Sequence, residues 1–89
     1  MEYFDYIIRS KKDNSLYVGY TANVKERLKY HNSGRVDSTK SKLPWEIVYF
    51  EAHPTLDKAL AREKYLKSSK AKKLKDSFRK LNGGYSSIG

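Results

Sequence analysis

Residues 16–31, LYVGYTANVKERLKYH, pass from the alternation of a β-strand to the spacing of an α-helix within a few positions. The apolar and aromatic run ends near Gly19 or Tyr20, where strand chemistry stops. Asn23, followed three residues later by Glu26, is typical of a capping box, in which a side chain closes the first turn of a helix. The segment therefore predicts a strand that is followed almost directly by a helix.

The predicted helix over residues 24–31 carries polar groups on its apolar face. At about 100° per residue, Arg27 and His31 share that face with Val24 and Leu28. A charged side chain and a titratable one, where packing alone would place apolar groups, indicate a function beyond packing.

Strand chemistry also appears on either side of this segment. Residues 3–9 are aromatic and β-branched, and a short polar stretch separates them from the strand at 16–20, which favours an antiparallel hairpin. Residues 44–52 form the third strand, and alternation places Tyr49 on one of its faces and Val48 on the other. Because both faces are then largely apolar, we expect this strand to lie between two neighbours.

Two more helices are expected after the third strand. Thr55 is a suitable cap for the first. Its apolar stripe consists of Leu56, Ala59, Leu60 and Leu66, and Glu63 falls close to the middle of that stripe. Ser69 is a suitable cap for the last helix, over residues 70–81. The sequence thus predicts an α+β domain over residues 1–81, in which three helices flank a small three-stranded antiparallel sheet, and a flexible tail over residues 82–89.

Composition restricts the class of protein further. The chain has 89 residues, 38% of them hydrophobic, which suits one small domain with a thin core. It has no cysteine, so disulfides and thiolate zinc sites are excluded. No apolar run approaches about 18 residues and the amino terminus does not resemble a signal peptide, so we expect a cytoplasmic protein without membrane contact.

The net charge of +9 is concentrated in one part of the chain. Residues 62–80 contain nine basic and two acidic residues, whereas residues 1–61 contain ten basic and eight acidic ones. A basic segment on a nearly neutral body indicates contact with a polyanion such as nucleic acid, and a solubilising surface is the alternative. The candidate phosphate contacts are Arg35, Lys40 and Lys42 in a polar surface loop over residues 33–44, and Lys64, Lys67, Lys70, Lys72 and Lys73.

Glu63 and Arg27 are charged residues that face the predicted core. A carboxylate there is costly unless it is paired or bound to a cation. Glu63 either pairs with Arg27, or bends outward beside Lys67, or binds a hard divalent ion whose other ligands are water and phosphate oxygens. Arg27 either pairs with Glu63 or Asp5, or holds two phosphate oxygens with its planar guanidinium group.

His31, Tyr6 and Tyr17 each have a plain and a chemical interpretation. His31 suits a helix-capping or surface position, and it also suits passing a proton or holding a tyrosine hydroxyl. Tyr6 and Tyr17 lie on neighbouring predicted strands, where each is either a core residue or part of a site. A tyrosine acts as a general base only beside a cation, a metal ion or a proton acceptor, and Arg27, His31 and a metal held by Glu63 would supply such neighbours.

These residues follow one another at fixed distances. Asp5-Tyr6-Ile7 is followed, ten residues after Ile7, by Tyr17-Val18-Gly19; Arg27 comes ten residues after Tyr17, His31 four later, and Glu63 on a downstream helix. The pattern resembles the GIY-YIG nuclease family over residues 3–80. It looks closest to short, single-domain bacterial members related to the amino-terminal nuclease domain of the excision-repair endonuclease.

The resemblance implies a metal-dependent endonuclease that hydrolyses DNA phosphodiester bonds in distorted or branched DNA, in repair or recombination. By matching position, it implies that Tyr17 activates the attacking water, Tyr6 helps to hold the water or the phosphate, and Arg27 stabilises the transition state. It also implies that Glu63 binds one Mg²⁺ or Mn²⁺ ion and that His31 contacts the catalytic tyrosine. DNA is the implied partner, and no small-molecule cofactor is expected.

Two residues depart from the family pattern. Asp5 stands where the motif has its first glycine, and Tyr20 stands where the repair nuclease has a lysine. The candidate for an amide ligand after Glu63 is Asn82. The alternative to an endonuclease is a non-catalytic nucleic-acid-binding module with the same basic face, and a protein-interaction domain is a third class.

Overall fold

The computed structural model describes residues 2–80. Its strands are β1 (Tyr3–Ser10), β2 (Leu16–Thr21) and β3 (Trp45–His53), and its helices are α1 (Val24–Asn32), α2 (Leu56–Lys67) and α3 (Lys72–Arg79). Short 3-10 helices, Lys40–Lys42 and Ser69–Ala71, precede β3 and α3. The predicted α+β class, with a three-stranded antiparallel sheet and three helices, is confirmed. Residues 81–89, which include Asn82 and the expected tail, lie outside the described residues, so the domain boundary at residue 81 stays a prediction.

The central strand of the sheet is β1. The strand order is β2-β1-β3, and both pairs are antiparallel. Six consecutive residues of β1, from Asp5 to Ser10, are buried. The expectation that β3 lies between two neighbours is wrong, because β3 is an edge strand. Both faces of β3 are apolar because helices pack above and below the sheet, and this pattern does not indicate whether another strand lies beside it.

The alternation of β3 is interrupted where it pairs with the middle of β1. Ile7 of β1 pairs with Tyr49, but Ile8 pairs with Ile47, so Val48 is an extra residue in the ladder. Val48 and Tyr49 consequently pack in the same core cluster. The prediction that these two residues lie on opposite faces is therefore wrong at this bulge.

Helices cover both faces of the sheet. On one face, Val24 and Leu28 of α1 pack against a buried cluster of Tyr6, Ile8 and Trp45. The second buried cluster, under α2 and α3, consists of Ile7, Val18, Val48, Leu66 and Ala71, with Leu74 and Phe78 packed against it. Successive residues of β1 thus contribute to alternate layers, as a pleated strand requires.

The side of α2 that faces the sheet differs from the one its leucines predict. Leu56 and Leu60 are each 38% exposed, whereas Ala59 and Leu66 are fully buried. Ala59 and Leu66 lie seven positions apart and therefore on one side of the helix, with Glu63 between them and half-buried. The predicted stripe is therefore confirmed at Ala59 and Leu66 and wrong at Leu56 and Leu60, because a small residue and a single leucine form the contact with the sheet.

The predicted caps of α1 and α2 are present. Asn23 Oδ1 accepts a hydrogen bond from the backbone N–H of Glu26 at 3.1 Å. Thr55 Oγ1 accepts one at 3.3 Å from the third residue of α2. The prediction for Ser69 is wrong, because it opens a 3-10 turn and α3 begins after that turn without a side-chain cap. None of the helices within residues 2–80 is both long and apolar enough to cross a membrane.

Arg9 connects α3 to the central strand. It is buried, and its guanidinium group donates hydrogen bonds to Glu46 Oε2 at 2.8 Å and to the Phe78 carbonyl at 2.9 Å. That carbonyl belongs to the last turn of α3, where helix acceptors have no partner within the helix. Arg9 on β1 therefore holds the end of α3 against the sheet.

Candidate active site

The hairpin of β1 and β2 sets Tyr6 directly opposite Gly19. A Cβ atom added to Gly19 would lie 2.6 Å from the Tyr6 hydroxyl oxygen and 2.7 Å from its Cζ atom. Contacts shorter than 3.0 Å are essentially absent around real Cβ atoms. The buried Tyr6 ring therefore occupies its position because residue 19 has no side chain.

The Tyr6 hydroxyl begins a buried chain of hydrogen bonds. It lies 2.8 Å from His31 Nε2, and His31 Nδ1 lies 3.0 Å from Thr39 Oγ1. Thr39 Oγ1 donates to the Val36 carbonyl at 3.4 Å, so we assign it as the acceptor of the His31 Nδ1–H. His31 Nε2 is then the acceptor of the Tyr6 hydroxyl proton. This chain of hydrogen bonds fixes both the orientation of the His31 ring and its tautomer.

Thr39 is the member of this chain that was not predicted from sequence. It lies in the loop over residues 33–44, which was expected to be a surface loop, yet Thr39 is completely buried. Its carbonyl accepts a hydrogen bond from the Trp45 indole at 2.9 Å. A single threonine in a polar stretch has no pattern that distinguishes it from its exposed neighbours.

Tyr17 packs against His31 without being hydrogen-bonded to it. The centres of the two rings are 4.9 Å apart in an edge-on arrangement, and the Tyr6 and Tyr17 rings are 6.4 Å apart. Tyr17 is half-buried, and its hydroxyl has no hydrogen-bond partner within residues 2–80. His31 therefore touches both tyrosines, but its hydrogen bond goes to Tyr6.

The titration of Tyr6 and His31 is shifted in ways that keep both groups neutral. Burial raises the pKa of Tyr6 to about 12; Tyr17 adds to the increase and Arg27 opposes it. Burial lowers the pKa of His31, and the positive charge of Arg27 acts in the same direction. At neutral pH the pair is thus an uncharged donor and an uncharged acceptor.

Arg27 is exposed on α1 beside this cluster. Its guanidinium carbon lies 5.6 Å from the centre of the Tyr30 ring, and its charge acts on both Tyr6 and His31. Within residues 2–80 it forms no ion pair with Glu63 or with any other carboxylate. The helix that buries His31 therefore presents Arg27 towards solvent, where an anion can reach it.

Glu63 has one nearby cation. Its Oε2 atom lies 3.6 Å from Lys67 Nζ, and the two side chains are 17% and 54% exposed, respectively. The negative charge of Glu63 contributes to raising the pKa values of Tyr6 and Asp5. Glu63 thus pairs with Lys67 and not with Arg27. A half-buried carboxylate whose one counter-charge is exposed and 3.6 Å away fits a hard divalent ion whose remaining ligands are water and phosphate oxygens.

Asp5, Glu51 and His53 form a second group of titratable side chains that was not predicted. One ligand atom from each lies within 4.8 Å of the other two, and among residues 2–80 no other cluster of this kind is present. Burial raises the pKa of Asp5 to about 6, with His53 opposing the shift and Glu51 adding to it. Finding the cluster from sequence would have required the β1–β3 register, which pairs Asp5 with Glu51.

The predicted phosphate-contacting residues fall into two groups. The first group has exposed side chains and consists of Arg35, Lys64, Lys67, Lys70, Lys72 and Lys73. The second group, Lys40 and Lys42, forms ion pairs within the loops. Lys40 lies 3.2 Å from Asp37. Lys42 donates to Ser15 Oγ at 3.0 Å and lies 3.5 Å from Asp13, so it is held by the β1–β2 turn.

Comparison with known proteins identifies the family of this chain. Residues 2–76 match the family model of the GIY-YIG catalytic domain. The chain is 41% identical over 76 residues to a UPF0213 protein of Staphylococcus haemolyticus, covering 83% of this chain and 92% of that one. It is 38% identical over 72 residues to the UPF0213 protein YazA of Bacillus subtilis, covering 80% and 72%.

A solved structure is also similar. The solution NMR structure of the UPF0213 protein BH0048 from Bacillus halodurans matches with a TM-score of 0.53 and 34% identity, covering 86% of this chain and 84% of that one. The β1–β2 hairpin and α1 together bring two tyrosines, a histidine and an arginine to one place, and the matching family model is that of a nuclease-type catalytic domain. The match over residues 2–76 makes the assignment specific: the chain belongs to the GIY-YIG family.

Proposed function

We propose that the protein is a metal-dependent endonuclease that hydrolyses phosphodiester bonds in distorted or branched DNA, in repair or recombination. The observation that carries the proposal is the packing of Tyr6 and Tyr17 around His31 beside the exposed Arg27. A fixed set of hydroxyl groups next to a solvent-facing cation is suited to a phosphate that arrives from solution.

Tyr17 is the residue that we assign to the activation of water. The Tyr6 hydroxyl proton is engaged by His31, whereas the Tyr17 hydroxyl is bound by no residue in the range 2–80. Tyr17 accepts a proton only as phenolate, so its own hydroxyl proton first passes to solvent. The positive charge of Arg27, which acts on both residues that Tyr17 contacts, favours the phenolate. The proton of the water passes to the Tyr17 oxygen as the water oxygen attacks phosphorus. The opposite P–O bond breaks, and the leaving oxygen takes a proton from solvent.

The other residues of the site bind and orient the phosphate. Arg27 stabilises the negative charge that develops on the phosphate oxygens in the transition state. Glu63 would hold the Mg²⁺ or Mn²⁺ ion, which supplies Lewis-acid stabilisation of the same charge when bound. His31 holds Tyr6 in place, and the two rings together fix the position of Tyr17.

Contact with the DNA backbone is assigned to the exposed basic residues of α2, α3 and the turn between them. These are Lys64, Lys67, Lys70, Lys72 and Lys73. Each lysine that neutralises one phosphate releases counterions, so affinity falls as salt concentration rises. Such contacts position the protein on DNA without reading its sequence.

The test is cleavage of labelled flap, bubble and duplex DNA by the purified protein, with Mn²⁺ or with EDTA. Tyr17→Phe and Glu63→Gln each remove a catalytic group and should reduce the cleavage rate at least ~100-fold. Tyr65→Phe removes a hydroxyl from an exposed tyrosine of α2 and should leave the rate unchanged. Cleavage that persists in Tyr17→Phe or Glu63→Gln contradicts the site.

A non-catalytic nucleic-acid-binding module is the second candidate, and the exposed lysines favour it equally. Binding to the same DNA substrates at several salt concentrations separates the candidates from a protein-interaction domain, which would show no steep salt dependence. Tight, salt-dependent binding without cleavage of any substrate in Mn²⁺ would identify the binding module. Replacing both Lys72 and Lys73 by alanine should make the log–log salt slope shallower by about 0.9 for each phosphate that the protein no longer neutralises.

A further inference from the structure

The register of the sheet brings three potential metal ligands together at the end of β3. Asp5 on β1 pairs with Glu51 on β3, and His53 lies two residues further along, so its side chain returns to the same face. His53 Nε2 lies 3.0 Å from Asp5 Oδ2 and 3.7 Å from Glu51 Oε1. This face is the one that α2 covers.

The polar atoms at the centre of this cluster lack hydrogen bonds. The Asp5 side chain is fully buried, and neither of its oxygens has a hydrogen-bond partner within residues 2–80; the same is true of the buried His53 Nε2 atom. His53 and Asp5 thus approach each other as an ion pair at 3.0 Å, without the alignment of a regular hydrogen bond. Buried polar atoms are nearly always satisfied, so three such atoms at one point are suited to bind a ligand.

The charges around the cluster also favour a cation. Asp5 and Glu51 are both carboxylates, and the charge of Glu63 acts on Asp5 as well. The fixed cation in contact is Arg62, whose Nε donates to Glu51 Oε1 at 2.7 Å. Two carboxylates therefore face one fixed positive charge at this point. A divalent cation would offset the excess and coordinate the orphaned atoms.

The spacing of the ligand atoms suits an ion with bonds of about 2.0–2.2 Å to nitrogen and oxygen. Such bonds put neighbouring ligand atoms about 2.8–3.1 Å apart in octahedral coordination and about 3.3–3.6 Å apart in tetrahedral coordination. The observed separations from His53 Nε2, 3.0 Å and 3.7 Å, lie close to these two ranges. A nitrogen and two carboxylate oxygens form a donor set that Zn²⁺ accepts, with water in the remaining position.

Glu51, one of the two proposed ligands on β3, is already oriented by its neighbours. Arg62 donates to one oxygen of Glu51, and the Tyr49 hydroxyl donates to the other at 3.0 Å. Each carboxylate oxygen has a second lone pair, so these bonds leave a position for an ion. Hydrogen bonds to a ligating carboxylate are typical of metal sites, where they hold the ligand in position.

We propose that Asp5, Glu51 and His53 bind one divalent transition-metal ion of the Zn²⁺ class, at a site separate from Glu63. The ion joins the end of β3 to β1 and fixes Asp5, the residue that precedes Tyr6. The site does not depend on the nuclease activity, because its three ligands lie outside the residues assigned to catalysis. A protonated His53 bridging the two carboxylates is the competing arrangement.

The test is titration of the metal-free, full-length protein with Zn²⁺, followed by calorimetry and by NMR of the imidazole nitrogens. The chain has two histidines, so His31 serves as an internal control. We expect one equivalent of Zn²⁺ to bind and to shift the His53 Nε2 resonance while the His31 resonances stay in place. No saturable binding, or a doubly protonated His53 that Zn²⁺ does not alter, overturns the proposal.

Three variants complete the test. His53→Ala and Glu51→Gln should each weaken Zn²⁺ binding at least 10-fold, and Glu63→Gln, which removes a neighbouring charge but no ligand, should weaken it much less than either. Circular dichroism establishes that each variant is folded, and the Gln substitution at position 51 keeps an acceptor for Arg62 if His53→Ala does not fold. Binding that survives in both His53→Ala and Glu51→Gln, or that is lost in Glu63→Gln alone, contradicts the assignment. Because Zn²⁺ binding is measured directly, a failure of DNA cleavage does not affect this result.

Discussion

Replacing Gly19 with alanine tests whether the position of Tyr6 depends on the absence of a side chain opposite it. In the middle of a strand, a glycine-to-alanine change ordinarily stabilises a protein, because glycine loses more conformational freedom on folding. Here the new Cβ atom would lie 2.6 Å from the Tyr6 hydroxyl oxygen. The ring is buried and its hydroxyl is bound to His31, so it cannot move without breaking that bond.

The expected loss follows from three contributions. Overpacking at a buried site costs about 2 kcal/mol. A His31 Nε2 atom left without its donor costs about 2 kcal/mol. The gain from replacing glycine offsets about 1 kcal/mol. Gly19→Ala should therefore lower the free energy of unfolding by about 3 kcal/mol, with a sign opposite to that of an ordinary strand glycine.

Urea denaturation followed by circular dichroism measures this loss. For a domain of this size, with a slope of about 1.5 kcal/mol per molar urea, the midpoint should fall by about 2 M. The matched control is the same change in a Tyr6→Leu background, where the ring atoms that meet the new Cβ are gone and most of the loss should disappear. A Gly19→Ala protein as stable as the original, or an equal loss in both backgrounds, would refute the steric explanation.

Two further predictions concern the hydrogen bonds that hold His31. Thr39→Val removes the acceptor of the His31 Nδ1–H and should lower the free energy of unfolding, measured by urea denaturation, by about 1–3 kcal/mol. Thr39→Ser keeps a hydroxyl and should lower it much less. Equal stability of both variants would show that the hydroxyl is not required. Because the pKa of His31 is lowered in the folded protein, the unfolded chain binds the proton first, so stability should decline as pH falls below about 6.5. The decline should be smaller in His31→Gln, and identical pH profiles would contradict it.

The elements of the fold were predictable from sequence because local rules determine them. The helix cap at Asn23 and the spacing after it define α1, and the aromatic and β-branched runs define the three strands. The arrangement of those strands was harder to predict. An apolar face records contact with another layer but not the presence of a lateral neighbour, and the bulge at Val48 depends on pairing with β1.

The candidate site was predictable where it follows the spacing of the chain. Tyr6, Tyr17 and His31 were singled out from strand and helix positions, and the structure brings them into contact. Thr39 and the Asp5 cluster could not be found in this way. Thr39 reaches His31 through a loop without periodicity, and the Asp5 cluster depends on the register between strands that are distant in sequence.

The contact of Arg9 with the end of α3 affects the order in which the domain can be completed during synthesis. It joins residues 69 positions apart, and the strand that carries Arg9 is the central one of the sheet. The central strand β1 is therefore synthesised first, and α3, which packs over it, is synthesised last. A growing chain that stops before α3 exposes the apolar layer that Leu74 and Phe78 cover in the folded domain, and exposed apolar surface promotes aggregation. We therefore expect the buried layer under α3 to be completed only after the last helix has been synthesised.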